Sequence, residues 1–435
     1  MPSDVLVVGG GVGGLVVARR LALEGVSVTL LEQTGTLGGQ VARQRIAGME
    51  LDAAAESFAT RGRSVAALLE ELGLAGDIVT PNPAPAWLQR SDGSAVPLPA
   101  AGLLGIPGEP LADDVVRVIG REAAERAARD ADLPASTGTD ASSLGELVRA
   151  RMGDAVVDGL VGPIVRGVHS VSADAVPLER AHPRLRAEIL ERGSLAAAVR
   201  ALRAAAPAGS QVAGIRGGMF RLVDALAADC RRLGVGIELG ARVEEWDANG
   251  VVVGGRRREG VVVRAGGTRG GASRRVTLVT LVADAPGWDA APRGTGLLVA
   301  PDAPGVDARA LTHLTAKWEW VAEALPGRHA VRLSYDGVPD DAVATATRDA
   351  GILLGSPLRE LHEATRHTWE RVTPRLVDGV VAGGDAPADM LAAGDALADD
   401  VLADDVVAVG ETVSGTGLAS VVPHAERIAR EITGA

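Results

Sequence analysis

Residues 5–32 read VLVVGGGVGGLVVARRLALEGVSVTLLE, which predicts a strand, a glycine turn, an amphipathic helix, a second strand and an acid. Gly9, Gly11 and Gly14 fit the pattern G-x-G-x-x-G, whose glycines permit a tight turn, close approach to a pyrophosphate, and packing of helix on strand. The N-terminus of the helix offers unpaired N–H groups to phosphates. Glu32 closes the second strand, where a carboxylate binds ribose hydroxyls and repels a 2′-phosphate. The stretch therefore predicts an α/β, Rossmann-like domain that binds FAD or NAD.

The residues after Glu32 favour FAD over NAD. Gly38 and Gly39 lie seven residues further on and resemble the extended fingerprint of the glutathione-reductase-type FAD proteins of the amine-oxidase superfamily. Taken alone, the pair is equally typical of a flexible loop. We predict non-covalent FAD, because no histidine or cysteine lies near a plausible point of covalent attachment.

Further segments resemble the FAD-dependent protoporphyrinogen/coproporphyrinogen III oxidase family, in its soluble bacterial form. They follow the order of the family along nearly the whole chain: GMELDAAAESF (48–58), VAALLEELGL (65–74), VPLP (96–99), LGIP (104–107), VGPIVRGVHS (161–170), GSL (193–195), GIRGGMFRL (214–222), ARV (241–243), VGE (409–411) and GTGL (415–418). Several matches in order are more specific than any single one.

The resemblance implies a set of cofactor-binding residues. They are Gly9, Gly10, Gly11, Val12, Gly13, Gly14, Glu32, Gln33, Gly38, Gly39, Gln40, Ala54, Ala55, Glu56, Ser57, Val243, Gly410, Glu411, Gly415, Thr416, Gly417 and Leu418. The chain also departs from the family pattern. Ala54 and Ala55 stand where Gly and Pro are usual, Gln40 replaces a common Lys or Arg, and residues 374–376 replace a P-Q-Y segment.

The resemblance also implies a reaction. A porphyrinogen loses six electrons and becomes aromatic, the flavin accepts hydride, and O₂ reoxidises the flavin to give H₂O₂ in haem biosynthesis. No side chain is predicted to act as a catalytic base. Gly167 is implied to face the flat macrocycle, and Leu98 and Pro99 to line the pocket wall. A transient contact with a haem-pathway ferrochelatase is a further expectation.

Coproporphyrinogen III, with four propionates, is predicted as substrate ahead of protoporphyrinogen IX, because the chain resembles the soluble members of the family. Arg90, Arg166 and Lys317 are candidates to bind propionates, since they lie in or beside the substrate-like segments. For each of them the alternative is a solvated surface charge. For Lys317, packing of Trp318 against its side chain is the favoured alternative.

Other members of the superfamily share the flavin motifs, so three alternatives remain open. An amine oxidase is expected to have an aromatic cage, whereas this chain has one tyrosine and two phenylalanines. A carotenoid desaturase needs an apolar tunnel and usually a membrane-contact surface. The third alternative is a non-catalytic protein that binds flavin or tetrapyrrole.

Composition sets the remaining limits. The net charge of −12 over 435 residues disfavours nucleic acid as a partner. The one cysteine, Cys230, excludes an internal disulfide and is predicted to be buried and inert. No apolar run reaches the roughly 20 residues of a membrane helix, so no transmembrane segment and a cytoplasmic location are predicted. His362 and His367 are spaced by five residues rather than four; we expect solvated helix residues there and no metal site.

The positions of the flavin motifs predict a discontinuous FAD domain at 1–80, 205–290 and 390–435. A mixed α+β substrate-binding domain is predicted at 81–110 and 291–389. Residues 111–204 are predicted to form a helical insertion, with helices over 115–128, 144–160 and 187–206.

Overall fold

The computed structural model describes residues 4–60, 62–100, 102–169, 171–204, 212–266, 272–373 and 406–434. The chain divides into two compact units, the first made of Met1–Thr80, Ser210–Arg274 and Trp369–Ala435, the second of Pro81–Gly209 and Arg275–Thr368. The predicted helical insertion and most of the predicted substrate domain thus share the second unit. Their division into separate domains stays a prediction.

The strands of the described residues are β1 (Val5–Val8), β2 (Val28–Glu32), β3 (Arg43–Ile46), β4 (Met49–Asp52), β5 (Phe58–Ala59), β6 (Ile78–Val79), β7 (Trp87–Gln89), β8 (Ala95–Pro97), β9 (Gly102–Leu103), β10 (Ile106–Pro107), β11 (Val212–Ile215), β12 (Gly236–Leu239), β13 (Val243–Asp247), β14 (Gly250–Val253), β15 (Arg256–Glu259), β16 (Val261–Arg264), β17 (Ala272–Asp284), β18 (Gly296–Val299), β19 (Ala310–His313), β20 (His329–Asp336), β21 (Glu360–Thr373) and β22 (Val407–Ala408).

The α-helices of the same residues are α1 (Val12–Leu23), α2 (Ser64–Glu71), α3 (Asp113–Ile119), α4 (Arg121–Ala128), α5 (Leu144–Met152), α6 (Asp154–Val156), α7 (Gly162–His169), α8 (Leu178–Ala181), α9 (Leu185–Arg192), α10 (Leu195–Ala204), α11 (Phe220–Arg232), α12 (Leu314–Lys317), α13 (Glu319–Ala324), α14 (Ala342–Leu354), α15 (Glu411–Ser414) and α16 (Leu418–Thr433). None of the described helices is both long enough and apolar enough to cross a membrane.

The first unit is built on a five-stranded parallel sheet in the order β12-β2-β1-β16-β22. Strand β1 lies at its centre, pairing Val5 with Val28 on one side and Val261 on the other. Apolar residues of α1, α11 and α16 join those of the sheet in one core. Cys230 is buried in that core, and burial raises the pKa of its thiol to about 12. The thiolate that would react is therefore disfavoured at neutral pH.

The second unit contains a seven-stranded sheet in the order β21-β17-β20-β19-β18-β7-β8. One apolar core includes α14 and residues of this sheet, such as Val279 and Leu333. Helices of residues 113–204 surround a second core, which includes Leu147, Val161 and Val199. The unit thus has a sheet-based core and a helical core.

The expectation that His362 and His367 belong to a helix is wrong. Both residues lie on β21, an edge strand that is next to β17 in the seven-stranded sheet. The pairing with β17 outweighs the local sequence, which is rich in residues that helices accept. On a strand, positions five residues apart point to opposite faces, so the two rings do not converge on one ligand.

A buried ion pair organises the helical core of the second unit. The side chains of Arg151 and Asp130 are both fully buried, and Arg151 Nε donates to Asp130 Oδ1. The carboxylate also accepts hydrogen bonds from Leu195 N at 3.1 Å and Ala196 N at 2.8 Å, at the start of α10. The Nη atoms of the guanidinium donate to the main-chain carbonyls of Asp130, Pro134, Ala135, Thr137 and Gly193.

We expect Asp130→Asn to lower the free energy of unfolding by about 3–5 kcal/mol, because the substitution leaves a buried guanidinium without its counter-charge. Urea unfolding followed by circular dichroism measures the change. The matched control is Asp174→Asn, which breaks the exposed pair with Arg149 and should cost about 0–1 kcal/mol. Similar losses in the two variants would contradict the role given to the buried pair.

Candidate functional site

The glycine turn between β1 and α1 is required by close packing. A Cβ atom at Gly14 would lie 2.0 Å from Gly9 O, and one at Gly10 would lie 2.5 Å from Leu37 Cδ2. Gly9 has φ of 113°, a conformation that favours glycine. Any side chain at these positions would therefore push the turn away from the helix or from the following loop.

The space in front of α1 suits a phosphate group. The first intrahelical hydrogen bond is Leu15 N to Gly11 O at 3.0 Å, so the N–H groups of residues 12–14 have no partner within the helix. A Cβ atom at Gly11 would meet nothing within 4 Å. Open space thus lies beside the N-terminus of a twelve-residue helix, where the dipole attracts an anion.

Glu32 is held at the carboxyl end of β2 by three hydrogen bonds. Its Oε2 atom accepts from Gly10 N at 2.7 Å, and its Oε1 atom accepts from Thr34 N and Thr34 Oγ1, each at 2.8 Å. Ala241 N donates to Glu32 O at 2.9 Å. This bond brings the segment that leads into Val243 beside the acid, as an adenosine site requires. Gln33 is exposed next to it.

The Gly38–Gly39 pair belongs to a packed turn rather than a loose loop. Gly38 N donates to Gly10 O at 2.8 Å, and Gly38 forms an isolated parallel bridge with Gly11. Gly38 has φ of 108°, and a Cβ atom there would lie 2.4 Å from Val41 O. The pair therefore fixes the second loop against the glycine turn.

Gln40 joins three of the predicted cofactor segments. Its main-chain carbonyl oxygen accepts a hydrogen bond from Ala55 N at 3.2 Å, and its side-chain Nε2 atom donates to Glu411 Oε1 at 2.6 Å. Ala54 is buried, whereas Glu56 and Ser57 are half-buried in the same loop. The hydrogen bond to Glu411 spans 371 residues of sequence and links the two ends of the predicted site.

The C-terminal motif packs against the nucleotide-binding helix. A Cβ atom at Gly13 would lie 3.5 Å from Gly410 Cα and 3.2 Å from Val421 Cγ1. Positive φ angles at Gly410, Gly415 and Gly417 turn the chain twice before α16 begins at Leu418. Thr416 is exposed on the second turn. The three glycine-rich segments thus meet at the N-terminus of α1, and together they fit a dinucleotide.

Comparison with known proteins agrees with this geometry. The family described as flavin-containing amine oxidoreductases matches residues 12–266. The chain belongs to this family. It is 30% identical over 376 residues to the coproporphyrinogen III oxidase of Mycobacterium tuberculosis, covering 80% of each chain. It is 29% identical over 416 residues to the coproporphyrinogen III oxidase of Mycobacterium leprae, covering 89% of each. The predicted resemblance to the protoporphyrinogen/coproporphyrinogen oxidases is thereby confirmed.

A solved structure gives the same fold. The "Putative protoporphyrinogen oxidase" of an Exiguobacterium species superposes with a TM-score of 0.80 over 99% of both chains, at 22% identity. The chain is therefore a flavin-dependent oxidoreductase of mixed α/β fold.

The structure places Arg166 against a carboxylate. Arg166 lies on α7 next to Gly167, and its Nη2 atom is 3.7 Å from Asp336 Oδ2. Asp336 Oδ1 accepts a hydrogen bond from Arg309 Nη1 at 3.1 Å. The sequence prediction missed Asp336 and Arg309. The signal for Asp336 was the alternation of Arg332, Ser334 and Asp336 along β20, which places three polar side chains on one sheet face.

The other substrate candidates lie elsewhere in the second unit. Arg90 occupies a turn between β7 and β8, where its Nη2 atom is 3.0 Å from Asp92 Oδ2. Lys317 Nζ lies 5.4 Å from the ring centre of Trp318, a cation–π contact. Leu98 follows β8, packs against the helical core and precedes the half-buried Pro99. Residues 374–376, where the sequence departs from the family, lie outside the described residues.

We expect Glu32→Ala to weaken flavin binding by about 1–3 kcal/mol, because a charge-assisted pair of hydrogen bonds to the ribose is lost. Titration of flavin-free protein with FAD, followed by fluorescence, measures the affinity. Glu24→Ala removes an exposed acid at the end of α1 and is the control. An unchanged dissociation constant in Glu32→Ala would show that the carboxylate does not contact the cofactor.

A double-mutant cycle tests whether the hydrogen bond between Gln40 and Glu411 contributes to cofactor binding. We expect Gln40→Ala and Glu411→Ala each to weaken FAD binding, and their combination to weaken it by less than the sum, with a coupling energy of about 0.5–3 kcal/mol. Strictly additive losses would show that the 2.6 Å hydrogen bond does not hold the two segments together when the flavin is bound.

Proposed function

We propose that the chain binds FAD non-covalently and oxidises coproporphyrinogen III to coproporphyrin III, with O₂ as acceptor and H₂O₂ as product, in haem biosynthesis. The observation that carries the proposal is the convergence of the three glycine-rich segments at the N-terminus of α1, in a chain 30% identical to a coproporphyrinogen III oxidase over 80% of its length.

The geometry around Glu32 supports FAD as the flavin. FMN has no adenosine ribose, so it would leave the acid at the end of β2 without a role. The carboxylate is already oriented by Gly10 N and Thr34, so it loses little freedom when it binds ribose hydroxyls. The N–H groups at the start of α1 then face the pyrophosphate.

The flavin, when bound, supplies the hydride acceptor, and aromatisation of the macrocycle supplies the driving force. The task of the protein is to bind and orient the macrocycle. Leu98 and Pro99 offer apolar surface, and Gly167 offers a position without a side chain. These contacts require no catalytic base.

The propionates of the substrate need local positive charge, because the chain as a whole carries −12. Arg166 is 33% exposed, and its contact with Asp336 at 3.7 Å is long for an ion pair. A guanidinium held loosely in this way is able to form a bidentate pair with a carboxylate of the substrate. Of the three candidates it supports the proposal best, since Arg90 is paired within a turn and Lys317 stacks on Trp318.

We expect kcat/KM for coproporphyrinogen III to exceed that for protoporphyrinogen IX, because four propionates offer more charged contacts than two. Steady-state oxidation of both substrates in air, followed by porphyrin fluorescence, gives the ratio. A higher value for protoporphyrinogen IX would reverse the assignment. A second measurement follows the bound flavin itself. If air does not reoxidise the flavin after anaerobic photoreduction, and a porphyrinogen does not reduce the oxidised flavin, the protein is better described as a non-catalytic binding protein.

We expect Arg166→Ala to raise KM for coproporphyrinogen III several-fold, with a smaller effect on protoporphyrinogen IX. Arg186→Ala is the matched control, because Arg186 has the same exposure of 33% and pairs with Glu179 at 2.9 Å. Both variants are assayed after the flavin content has been equalised. Equal KM values in Arg166→Ala and the unchanged protein would show that this arginine does not meet a propionate.

A further inference from the structure

Two histidines and an aspartate form a hydrogen-bonded chain in the second unit, and the proposed function does not use it. His313 ends β19 and His329 begins the adjacent strand β20. His313 Nε2 lies 3.2 Å from His329 Nδ1, and His329 Nε2 lies 2.9 Å from Asp289 Oδ1. This hydrogen-bonded chain of side chains leads from the surface into the protein, because the side chain of Asp289 is 74% exposed and His313 is 1% exposed.

The spacing of the two rings matches that of two ligands on one metal ion. Two imidazoles on a tetrahedral zinc ion, with bonds of about 2.0–2.1 Å, have donor nitrogens roughly 3.3 Å apart and ring centres roughly 5.2 Å apart. The observed separations are 3.2 Å between the nitrogens and 5.3 Å between the ring centres. The same spacing accommodates a proton between the nitrogens when no ion is bound.

The hydrogen bonds of the two rings fix the position of their protons. The carboxylate of Asp289 accepts from the Nε2–H group of His329, which leaves the lone pair on His329 Nδ1. His313 Nδ1 is buried and has no hydrogen-bond partner among the described residues. While no ion is bound, the lone pair on His329 Nδ1 keeps the His313 proton on Nε2, so ligation through His313 Nε2 requires that proton to move to Nδ1.

A cavity adjoins the pair and offers room for further ligands. It has a volume of about 230 Å³, and its lining includes both histidines, Asp289, Thr315 and Arg328. Trp288 packs edge-on against both imidazoles, at 6.2 Å from His313 and 5.8 Å from His329 between ring centres. The indole is itself fixed by a 2.9 Å hydrogen bond from Nε1 to Ser356 O. The rings are thus held in place while one side remains open to water.

We propose that His313 and His329 bind a divalent transition-metal ion of the kind that prefers imidazole, with Zn²⁺ as the representative. Asp289 orients His329 from outside the coordination sphere, as carboxylates do for metal-bound histidines elsewhere. Water from the cavity completes the coordination. The site does not depend on flavin or porphyrinogen.

A second group of side chains provides a competing site and hence a control. Asp284, Glu360 and His362 bring potential ligand atoms within 4.8 Å of one another. Asp284 is already engaged there by His362 Nε2 at 2.7 Å and by Arg359 Nη2 at 3.2 Å. These partners occupy both carboxylate oxygens of Asp284. We therefore expect this group to bind Zn²⁺ more weakly than His313 and His329.

The test is isothermal titration of untagged, metal-free, flavin-loaded protein with ZnCl₂, with MgCl₂ as a second titrant. We expect one Zn²⁺ per chain and no binding of Mg²⁺. The variants His313→Gln and His329→Gln should each weaken Zn²⁺ binding at least tenfold, whereas His362→Gln should not change it. Asp289→Asn should weaken it by roughly 10–100-fold, the usual effect of losing such a partner.

The variant Asp289→Asn is expected to fold normally, because the substituted side chain is exposed, so it tests the site even if the histidine variants misfold. Thermal unfolding without metal checks the folding of all four variants, and Co²⁺ absorption in the unchanged protein reports the geometry of the ligands. The proposal is overturned if Zn²⁺ does not bind, if binding survives in both His313→Gln and His329→Gln, or if only His362→Gln abolishes it. Turnover of porphyrinogen by the metal-free protein would leave the proposed function intact in each of these cases.

Discussion

The candidate cofactor site depends on two hydrogen bonds made by one residue of the glycine turn, Gly10. Gly10 N donates to the Glu32 carboxylate at 2.7 Å, and Gly10 O accepts from Gly38 N at 2.8 Å. The first bond fixes the side chain of Glu32, the acid predicted to bind the ribose, relative to α1. The second bond fixes the position of the Gly38–Gly39 loop. A Cβ atom at Gly10 would lie 2.5 Å from Leu37 Cδ2 and 3.1 Å from Glu32 Oε2, so a side chain at this position would strain both contacts. Once the loop is placed, Gln40 is able to reach Ala55 and Glu411.

The order of elements in this site follows from the sequence because its determinants are local. The strand, turn, helix and acid of residues 5–32 are predicted and observed, since alternation, glycine geometry and helical periodicity all act within a few residues. The bond between Gln40 and Glu411 was not predictable in the same way. It joins residues 371 positions apart, which the pairing of β16 with β22 and the packing of Gly410 near Gly13 bring together.

The helices of the second unit are shorter than the sequence analysis predicts, because glycines divide the predicted segments. The segments expected as single helices at 115–128, 144–160 and 187–206 are each divided at a glycine, namely Gly120, Gly153 and Gly193, with φ of 84°, 94° and 85°. A positive φ favours glycine, so a glycine inside each of these segments was a signal for a helix break. The strand at His362 was not, because β21 is formed by pairing with β17 and local sequence contributes little to it.

Cofactor and substrate recognition therefore differ in how far the sequence specifies them. The flavin site is made largely of backbone N–H groups and turns, which glycine spacing encodes directly. The candidate propionate contact is a side-chain pair between α7 and β20, Arg166 and Asp336, whose partners are 170 positions apart. The glycine spacing in the sequence therefore indicates the flavin motifs directly, whereas the two partners of the candidate propionate contact are brought together only by the folded chain.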